Sequence, residues 1–344
     1  MDLRLLLQAV EQSSPIDVVD VLGGELARTV GAGHVALLIA DFSGNAVIRL
    51  SHVEGTGREQ DGRNERGERL PLRGTAHEKV MLSQTVRLVE GSAGWLVLVP
   101  VTERGDAIGV LEVSFSGEPD AELLSYLVAA AHALAYVLIS SRRHTDLFEW
   151  AQRDVPFSIS AEIQRRLLPS AYSMEAGPLT LSGWLEPSHD AGGDTFDYCL
   201  DREHLYLSVT DAMGHAVDAA LLATLTVGTL RNTRRALASP AELPLGIATE
   251  PYRTEALALL PGDRLLVITD GYLDRAAGRL DIEQVMRATP ERHPRQVVQE
   301  LARRLLEVTG GDLYDDATAL CLDWYGVGGV RAAAGGASQE RATR

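Results

Sequence analysis

The sequence is poor in cysteine and lacks long apolar runs, and each shortage excludes a class of protein. Its two cysteines, Cys199 and Cys321, cannot form a disulfide framework, and neither has a nearby Cys or His at zinc-ligand spacing. The longest apolar run, residues 127–139, contains His132 and is shorter than the ~20 residues that a membrane helix needs. The first residues reach Glu11 too soon to form a signal peptide. We therefore expect a cytoplasmic protein with no membrane span.

Basic side chains are also in short supply. The chain has 32 Lys and Arg residues against 48 Asp and Glu residues, which gives a net charge of −16. A general nucleic-acid-binding protein needs a basic face for phosphates, so we predict no nucleic-acid partner. An apolar content of 45% and a charged content of 23% indicate a globular chain. Its 344 residues suit two domains, taking ~150 residues per domain.

Residues 1–118 mix helical and strand-like patterns. Helical spacing over residues 3–30 is followed by strand-like runs at 34–40 and 46–52, and by further runs at 95–101 and 107–115. The almost wholly polar residues 54–69 predict an exposed loop. This order predicts an α+β sensory domain that receives a small-molecule or protein signal. No cluster of residues specifies a ligand, so a purely structural or dimerising domain is an equal alternative.

Residues 119–157 read as a helical connector. Alternating three- and four-residue steps, the spacing of a coiled-coil seam, connect Leu124, Leu127, Ala131, Leu134, Leu138, Ser141, Thr145 and Phe148, although the later half of this seam is polar. One interpretation is a helix that packs on its own domain. The other, which we favour, is a two-stranded connector that makes a homodimer through residues 120–150. A second helix is predicted over 159–168, and the tail 326–344 has the composition of a disordered segment.

Four short segments place aspartates beside glycine or at the ends of predicted strands. They are Ala191-Gly-Gly-Asp194-Thr-Phe-Asp197, Ser208-Val-Thr-Asp211-Ala-Met-Gly214-His215, Val267-Ile-Thr-Asp270-Gly271 and Asp315-Asp316-Ala-Thr318. Strands at 205–210 and 264–269 run into an aspartate, and a strand at 317–324 follows a pair of them. If the last strand is antiparallel to the other two, all three acidic ends meet at one sheet edge. Gly192 and Gly193 would allow the backbone to approach that edge closely.

Carboxylates gathered in this way repel one another unless a cation or protons intervene. Because the candidate ligands are all hard oxygens, they favour Mg²⁺ or Mn²⁺ over zinc. Two such ions ~3.5–4 Å apart lower the pKa of a bridging water and clamp a phosphoryl group. Any one segment is weak evidence, since Asp-Gly is a common turn, but the set of four is more specific.

Six motifs in order resemble the PPM-type serine/threonine phosphatases, in the bacterial branch that includes SpoIIE and RsbU. The motifs are AEIQRRLLP (161–169), AGGDTFDY (191–198), DAMGHAVDAALLATL (211–225), LPLGI (243–247), LLPGDRLLVITDGYLD (259–274) and DDATALCL (315–322). The resemblance implies a PPM-type αββα sandwich over residues 158–325. The first 118 residues resemble a GAF domain, and sensory domains commonly precede the phosphatase in this family. The expected fold class is therefore α+β, with a GAF-like domain, a helical connector and a shortened phosphatase domain.

The resemblance also implies roles for individual residues. The catalytic metal ligands would be Asp194, Asp211, Asp270 and Asp315, joined by the backbone carbonyl of Ala212 and with Asp316 as a further candidate. Asp197 would support the ligands from behind, and His215 could orient a water or a phosphate oxygen. The helix after Gly214 would pack behind the site through Leu221, Leu222 and Leu225.

Two departures from the family pattern bear on activity. Ala216 stands where the family has glycine, and alanine is strained there if the position needs a positive φ. The central part of the family's domain is missing near residues 238–243, and no Gly-His-Pro sequence occurs in the chain. A sandwich that loses interior strands exposes apolar faces and unpaired edges.

Three functions follow as hypotheses. The first is a metal-dependent phosphatase that acts on a phosphorylated protein of the anti-sigma-factor-antagonist type in a stress response, controlled by the N-terminal domain. The alternative is a catalytically impaired regulator that dimerises and binds a partner. A third, weaker hypothesis places the function in ligand sensing by residues 1–118.

Overall fold

The computed structural model describes residues 3–54, 67–92, 94–153, 157–188, 192–236, 256–273 and 280–327. Most of the predicted loop at 54–69, the motif at 243–247, the shortened region at 238–243 and most of the predicted disordered tail lie outside these ranges. The chain divides into two compact units, with the boundary between Pro156 and Phe157.

The first unit is a six-stranded antiparallel sheet with helices on its faces. Its helices are α1 (Leu3–Glu11), α2 (Val18–Val30), α3 (Ala76–Ser83), α4 (Ala121–Ser141) and α5 (Leu147–Ala151). Its strands are β1 (His34–Ala40), β2 (Ala46–Glu54), β3 (Glu68–Pro71), β4 (Arg87–Gly91), β5 (Gly94–Glu103) and β6 (Asp106–Phe115). The strand order is β3-β2-β1-β6-β5-β4.

The two faces of this sheet bury different clusters. Alternate residues of the central strands pack with α1, α2, α4 and α5 in the main core, which includes Leu37, Val99 and Leu111. The opposite face is covered in part by α3, where Val80 packs on Leu98 and Val110. The predicted strands at 95–101 and 107–115 form a hairpin whose turn, Arg104 and Gly105, has positive φ angles, as a two-residue hairpin loop requires.

Helix α4 packs in the core of the first unit, which is the first of the two interpretations of this segment. Its seam residues Leu127, Leu134 and Leu138 are almost completely buried against the unit's own sheet and helices. The predicted helical pattern also breaks after Ser141 and resumes at Leu147. This packing favours a helix that packs on its own domain over a two-stranded connector.

By length and composition, α4 is long and apolar enough to cross a membrane, with a mean hydropathy of 1.9. One such helix is weak evidence for a span, because the core helix of a soluble domain has the same composition. The burial of its apolar side against the sheet is the arrangement of a core helix.

The second unit contains two packed sheets between pairs of helices. Its helices are α6 (Ile159–Leu167), α7 (Ala216–Ala236), α8 (Ile282–Ala288) and α9 (Pro294–Thr309), with a short 3₁₀ turn at Asp270–Tyr272. Its strands are β7 (Ser173–Ala176), β8 (Leu179–Glu186), β9 (Thr195–Leu200), β10 (Leu205–Thr210), β11 (Arg264–Ile268) and β12 (Ala317–Trp324). The sheets have the orders β10-β9 and β11-β12-β8-β7.

Alternation along β12 explains how the layers stack. Leu320 and Leu322 face the β9–β10 sheet in a cluster with Phe196, whereas Ala319 and Cys321 face α9 in a second cluster. Helices α6 and α7 pack together through Leu167, Ala223 and Val227 on the side of the β9–β10 sheet. The layers are thus α, β, β and α, and the predicted α+β class is confirmed.

One part of the topological prediction is wrong. β11 and β12 are antiparallel neighbours, as expected, but β10 pairs with β9 in a separate sheet. The acidic ends of the three strands therefore belong to two sheets and not to one edge. Pairing between distant segments depends on packing that a local pattern does not contain.

Candidate functional site

The predicted aspartates form a cluster, here called the aspartate cluster, that consists of Asp194, Asp211, Asp270, Asp315 and Asp316. Asp316 is at the base of this cluster, meaning that its side chain is almost completely buried beneath the exposed members. One carboxylate oxygen, Oδ1, accepts hydrogen bonds from the Ser188 backbone N–H at 2.8 Å and the Ser188 hydroxyl at 3.1 Å. The other, Oδ2, accepts from the Gly192 N–H at 3.1 Å and from the Gln164 amide at 2.6 Å. Asp316 therefore ties together loops that are far apart in the sequence, and protein donors already surround both of its oxygens.

Gln164 connects helix α6 to this base. Its side-chain amide also donates to the backbone carbonyl oxygen of Asp194 at 2.9 Å, and the residue is 2% exposed. The buried face of this helix consists of Ser160, Gln164 and Leu167. Gln164 was not predicted as a site residue, because in the sequence it is only a polar residue within the motif at 161–169.

Asp194 is the second buried carboxylate of the cluster. The Thr269 hydroxyl donates to Asp194 Oδ2 at 2.6 Å and itself accepts from the backbone N–H of Thr318 at 2.9 Å. Burial raises the pKa of Asp194 to about 7, the threonine donors act in the opposite direction, and the neighbouring carboxylates of Asp211 and Asp316 raise it further. Apart from burial, the groups that act most strongly on the pKa of Asp194 among the described residues are two threonines and two carboxylates, with no cation among them.

The remaining predicted aspartates form an exposed rim around this base. They are Asp211, Asp270 and Asp315. Burial raises the pKa of Asp211, and the negative charges of Asp270 and Asp315 raise it further, which shows that these side chains lie within electrostatic reach of one another. The structure thus brings the predicted acidic residues together, with two buried and three at the surface.

Glycines allow the loops of the cluster to approach one another. A Cβ on Gly193 would lie 2.8 Å from the backbone carbonyl oxygen of Ala212, and a Cβ on Gly271 would overlap the carbonyl oxygen of Asp316. The Ala212 N–H donates to the Gly193 carbonyl oxygen at 3.2 Å, which fixes the loop that carries the Ala212 carbonyl. The predicted close approach at Gly193 is therefore present in the structure.

The ligand atoms that the aspartate cluster offers are of the kind that divalent cations such as Mg²⁺ and Mn²⁺ prefer. Its side chains offer only hard oxygen atoms, and the Ala212 carbonyl adds one more. Within the described ranges, however, no three Asp, Glu, His or Cys side chains converge closely enough to hold a metal ion as they stand. The carboxylates would have to move closer together for several of them to bind one ion.

Asp197 has a different role from the one predicted. It is 3% exposed on β9 and accepts two hydrogen bonds from Arg231, at 3.0 and 3.1 Å, and one from Arg234 at 2.7 Å. Arg231 also donates to the Leu167 carbonyl oxygen at 2.6 Å. Asp197 therefore holds the C-terminal part of α7 against β9 and α6, and its carboxylate is compensated by two guanidinium groups.

The loop before α7 carries backbone strain. Ala216 has a φ of 54°, in the left-handed region that the prediction named as the condition for strain. This conformation costs an alanine about 1–2 kcal/mol. His215 is exposed at the start of the helix, and its contact with a water or a phosphate oxygen stays a prediction.

The three leucines predicted to pack behind the site are exposed, which corrects that prediction. Leu221, Leu222 and Leu225 are 51%, 44% and 69% exposed. Helix α7 instead packs through small residues, because alanines allow its backbone to approach α6 closely. The buried residues of this face are Ala219, Ala220, Ala223 and Val227.

The first unit contains a second polar cluster, which the sequence analysis did not identify. Glu112 on β6 is 4% exposed, and its oxygens lie 2.9 Å from Arg49 Nη2 and 2.6 Å from His77 Nε2, with His34 Nε2 at 3.9 Å. Burial alone would raise the pKa of Glu112, but the neighbouring histidines and the charge of Arg49 lower it to about 2. No local motif reveals this cluster, since its four residues come from three strands and one helix.

Comparison with protein families identifies part of the second unit. Residues 233–325 match the family described as Stage II sporulation protein E (SpoIIE). The segment is SpoIIE-like. This SpoIIE-like segment begins in the last turn of α7 and contains Asp270, Asp315 and Asp316, whereas Asp194 and Asp211 precede it. The resemblance predicted from the motifs is confirmed for this part of the chain, and no curated protein matches the chain.

Solved structures similar to this chain include GAF domains. The GAF domain of a phosphoenolpyruvate-protein phosphotransferase from Acinetobacter has 18% identity and a TM-score of 0.36, over 42% of this chain and 93% of that one. The second GAF domain of DevS from Mycobacterium smegmatis has 16% identity and a TM-score of 0.31, over 38% and 98% of the two chains.

Proposed function

We propose that the second unit is a metal-dependent phosphatase that removes phosphate from serine or threonine in a partner protein. The observation that carries the proposal is that five aspartates lie within electrostatic reach of one another, in the unit that contains the SpoIIE-like segment. Their poorly compensated charge favours binding of a cation.

Mn²⁺ or Mg²⁺ is the proposed cofactor, with two ions held by Asp194, Asp211, Asp270, Asp315 and the Ala212 carbonyl. Such ions would activate a water and neutralise phosphoryl oxygens. Asp316 would hold the loops in place through Ser188 and Gln164, and its own participation as a ligand would require it to release one of these donors. Thr269 orients Asp194 by donating to its Oδ2.

The proposed substrate is a phosphorylated protein of the anti-sigma-factor-antagonist type, in the cytoplasm, with the first unit as regulator. This choice rests on the resemblance of the motifs to the SpoIIE and RsbU branch. A small molecule or a protein is the proposed signal for the first unit.

A phosphoserine protein incubated with the full chain, with and without Mn²⁺, tests the proposal. We expect phosphate release that needs the metal and is lost in the Asp211→Asn/Asp270→Asn double variant. Asp201→Asn, at an exposed aspartate outside the cluster, is the matched control and should retain activity. Binding of Mn²⁺ measured by calorimetry gives a second readout. The absence of both phosphate release and Mn²⁺ binding would contradict the proposal.

The second candidate function is a regulator without catalysis. Two observations favour it: the carboxylates of the described chain do not converge on one metal position, and Ala216 strains the loop after Asp211. A chain that binds a phosphoprotein partner but releases no phosphate from it with any divalent cation would support this function.

A further inference from the structure

Helix α7 presents an apolar face that no described part of the second unit covers. Leu221, Leu222 and Leu225 are about half exposed or more, and Val217 is 39% exposed beside them. At 100° per residue, the three leucines lie within one side of the helix, opposite the alanine face that packs on α6. Contiguous exposed apolar patches on soluble proteins mark interaction sites.

This face is asymmetric along its length. Toward the N-terminus it carries the large side chains of Leu221 and Leu222, and toward the C-terminus it carries Gly228 and Thr229. Leu225 lies midway between these pairs. Nothing lies within 4 Å of the position that a Cβ on Gly228 would occupy, so this end of the face is open and lacks a large side chain.

The two ends of the same face of α7 carry side chains of opposite charge. Asp218 is exposed in the first turn and Arg235 is exposed in the last turn, with Asn232 one turn before the end. If a second copy of the helix runs antiparallel with Leu225 opposite Leu225, the leucine pair of each copy lies over the glycine and threonine of the other. Asp218 then lies opposite Asn232 and close to the basic last turn. A parallel arrangement would instead place leucine on leucine and aspartate on aspartate.

We propose that two copies of this chain associate through α7 as an antiparallel pair with a two-fold axis at Leu225. A two-fold axis makes the interface self-complementary, which the opposed large and small halves of this face satisfy. The apolar centre and the polar ends match the usual composition of an interface. The proposal does not depend on catalysis, and it differs from a dimer made through residues 120–150, whose seam is buried in the first unit.

Sedimentation of the full chain over a range of concentrations tests the association. We expect a monomer–dimer equilibrium that Leu225→Lys weakens by at least about thirtyfold, the effect of a central interface residue. Because Leu225 is exposed, thermal melting of this variant should match the parent, and Leu225→Ala provides a milder second variant. Tyr136→Lys, on the exposed side of α4, is the matched control and should leave the equilibrium unchanged.

Cross-linking determines the direction of the helices. In a Cys199→Ser background, we expect a mixture of Asp218→Cys and Asn232→Cys chains to form a disulfide-linked dimer, whereas each variant alone does not. Cross-linking of Asp218→Cys chains to one another would indicate a parallel pair and overturn the proposal. A chain that stays monomeric, or in which a cysteine at position 225 is protected from thiol reagents in the monomer, would also overturn it.

Discussion

The two units each bury a carboxylate in a polar cluster, and the two clusters are electrostatic opposites. Glu112 lies among an arginine and two histidines, and its pKa falls to about 2. Burial raises the pKa of Asp194 to about 7, and the neighbouring carboxylates of Asp211 and Asp316 raise it further instead of opposing the effect of burial. Both residues are less than 5% exposed, so the difference comes from their neighbours and not from depth.

This difference separates a structural cluster from a candidate binding site. A buried carboxylate that is paired with a cationic side chain of the same protein needs no further ligand, and we call such a cluster complete. It is compatible with a stable fold only as long as the cationic partner remains. A buried carboxylate that is surrounded by other carboxylates lacks a cationic partner, and we call such a cluster incomplete. Binding of a proton or a metal ion stabilises it. The aspartate cluster of the second unit is therefore the better candidate for chemistry.

The largest expected effect comes from removing the cation of the complete cluster. Arg49→Met leaves Glu112 without its guanidinium partner and should destabilise the first unit by about 3–5 kcal/mol. Urea unfolding followed by tryptophan fluorescence measures the change. Arg28→Met removes an exposed pair with Glu25 and should cost less than about 1 kcal/mol. If Arg49→Met and Arg28→Met lowered the free energy of unfolding by the same amount, Glu112 would not depend on its arginine partner, and the contrast with Asp194 would fail.

A pH titration should separate the two clusters next. Because the pKa of Asp194 is raised from 3.8 to about 7 in the folded chain, the folded state binds the extra proton between these values. Metal-free stability should therefore fall as pH rises from about 4 to about 7, by at most roughly 4 kcal/mol. Asp194→Asn or added Mn²⁺ should flatten this dependence.

Glu112 should show the opposite dependence on pH. Its pKa is lowered from 4.5 to about 2, so its contribution is present above pH 4.5 and is lost as pH falls toward 2. Glu112→Gln should leave the slope between pH 4 and 7 unchanged. If Glu112→Gln removed this pH dependence and Asp194→Asn did not, the dependence would arise from the Glu112 cluster, and our assignment to Asp194 would be wrong.

Gln164 tests whether the incomplete cluster needs its support. Gln164→Ala removes donors to both Asp316 and the Asp194 carbonyl, and we expect a 10–100-fold loss of Mn²⁺ affinity, the usual effect of disturbing outer partners of a metal site. Calorimetric titration provides the measurement. Arg166→Ala, at an exposed side chain that pairs with Glu162, is the control on the same helix.

The smallest expected effect is at Ala216. Ala216→Gly relieves the left-handed strain, worth about 1–2 kcal/mol, and loses part of this gain to the greater freedom of glycine in the unfolded chain. The melting temperature should therefore rise slightly. A decrease would show that the alanine methyl group makes a contact worth more than the strain.

Local patterns predicted the elements of the second unit better than their arrangement. The strands predicted at 205–210 and 317–324 are observed with the same bounds, and the one predicted at 264–269 ends one residue earlier, because aspartates mark an end of each β-rich run. The division of these strands between two sheets depends on pairings with β8 and β9, which lie far away in the sequence.

Side-chain environments were harder to predict than strands. The leucines of α7 were expected to be buried because they are apolar, but close packing on α6 selected the alanine face. Gln164 could not be predicted as a site residue, since its partner Asp316 is 152 residues away. Burial at these positions is decided by the shape of distant elements and not by the residue type.

The hydrogen bonds to Asp316 also determine when the site can form. Its donors at Gln164, Ser188 and Gly192 are separated from it by 152, 128 and 124 residues. Contacts over such separations form late in folding, because the intervening chain must be ordered first. During synthesis, the first unit is complete before Asp316 has been made, whereas the aspartate cluster must wait for nearly the whole of the second unit. A chain interrupted before β12 would therefore retain the first unit and have no assembled site.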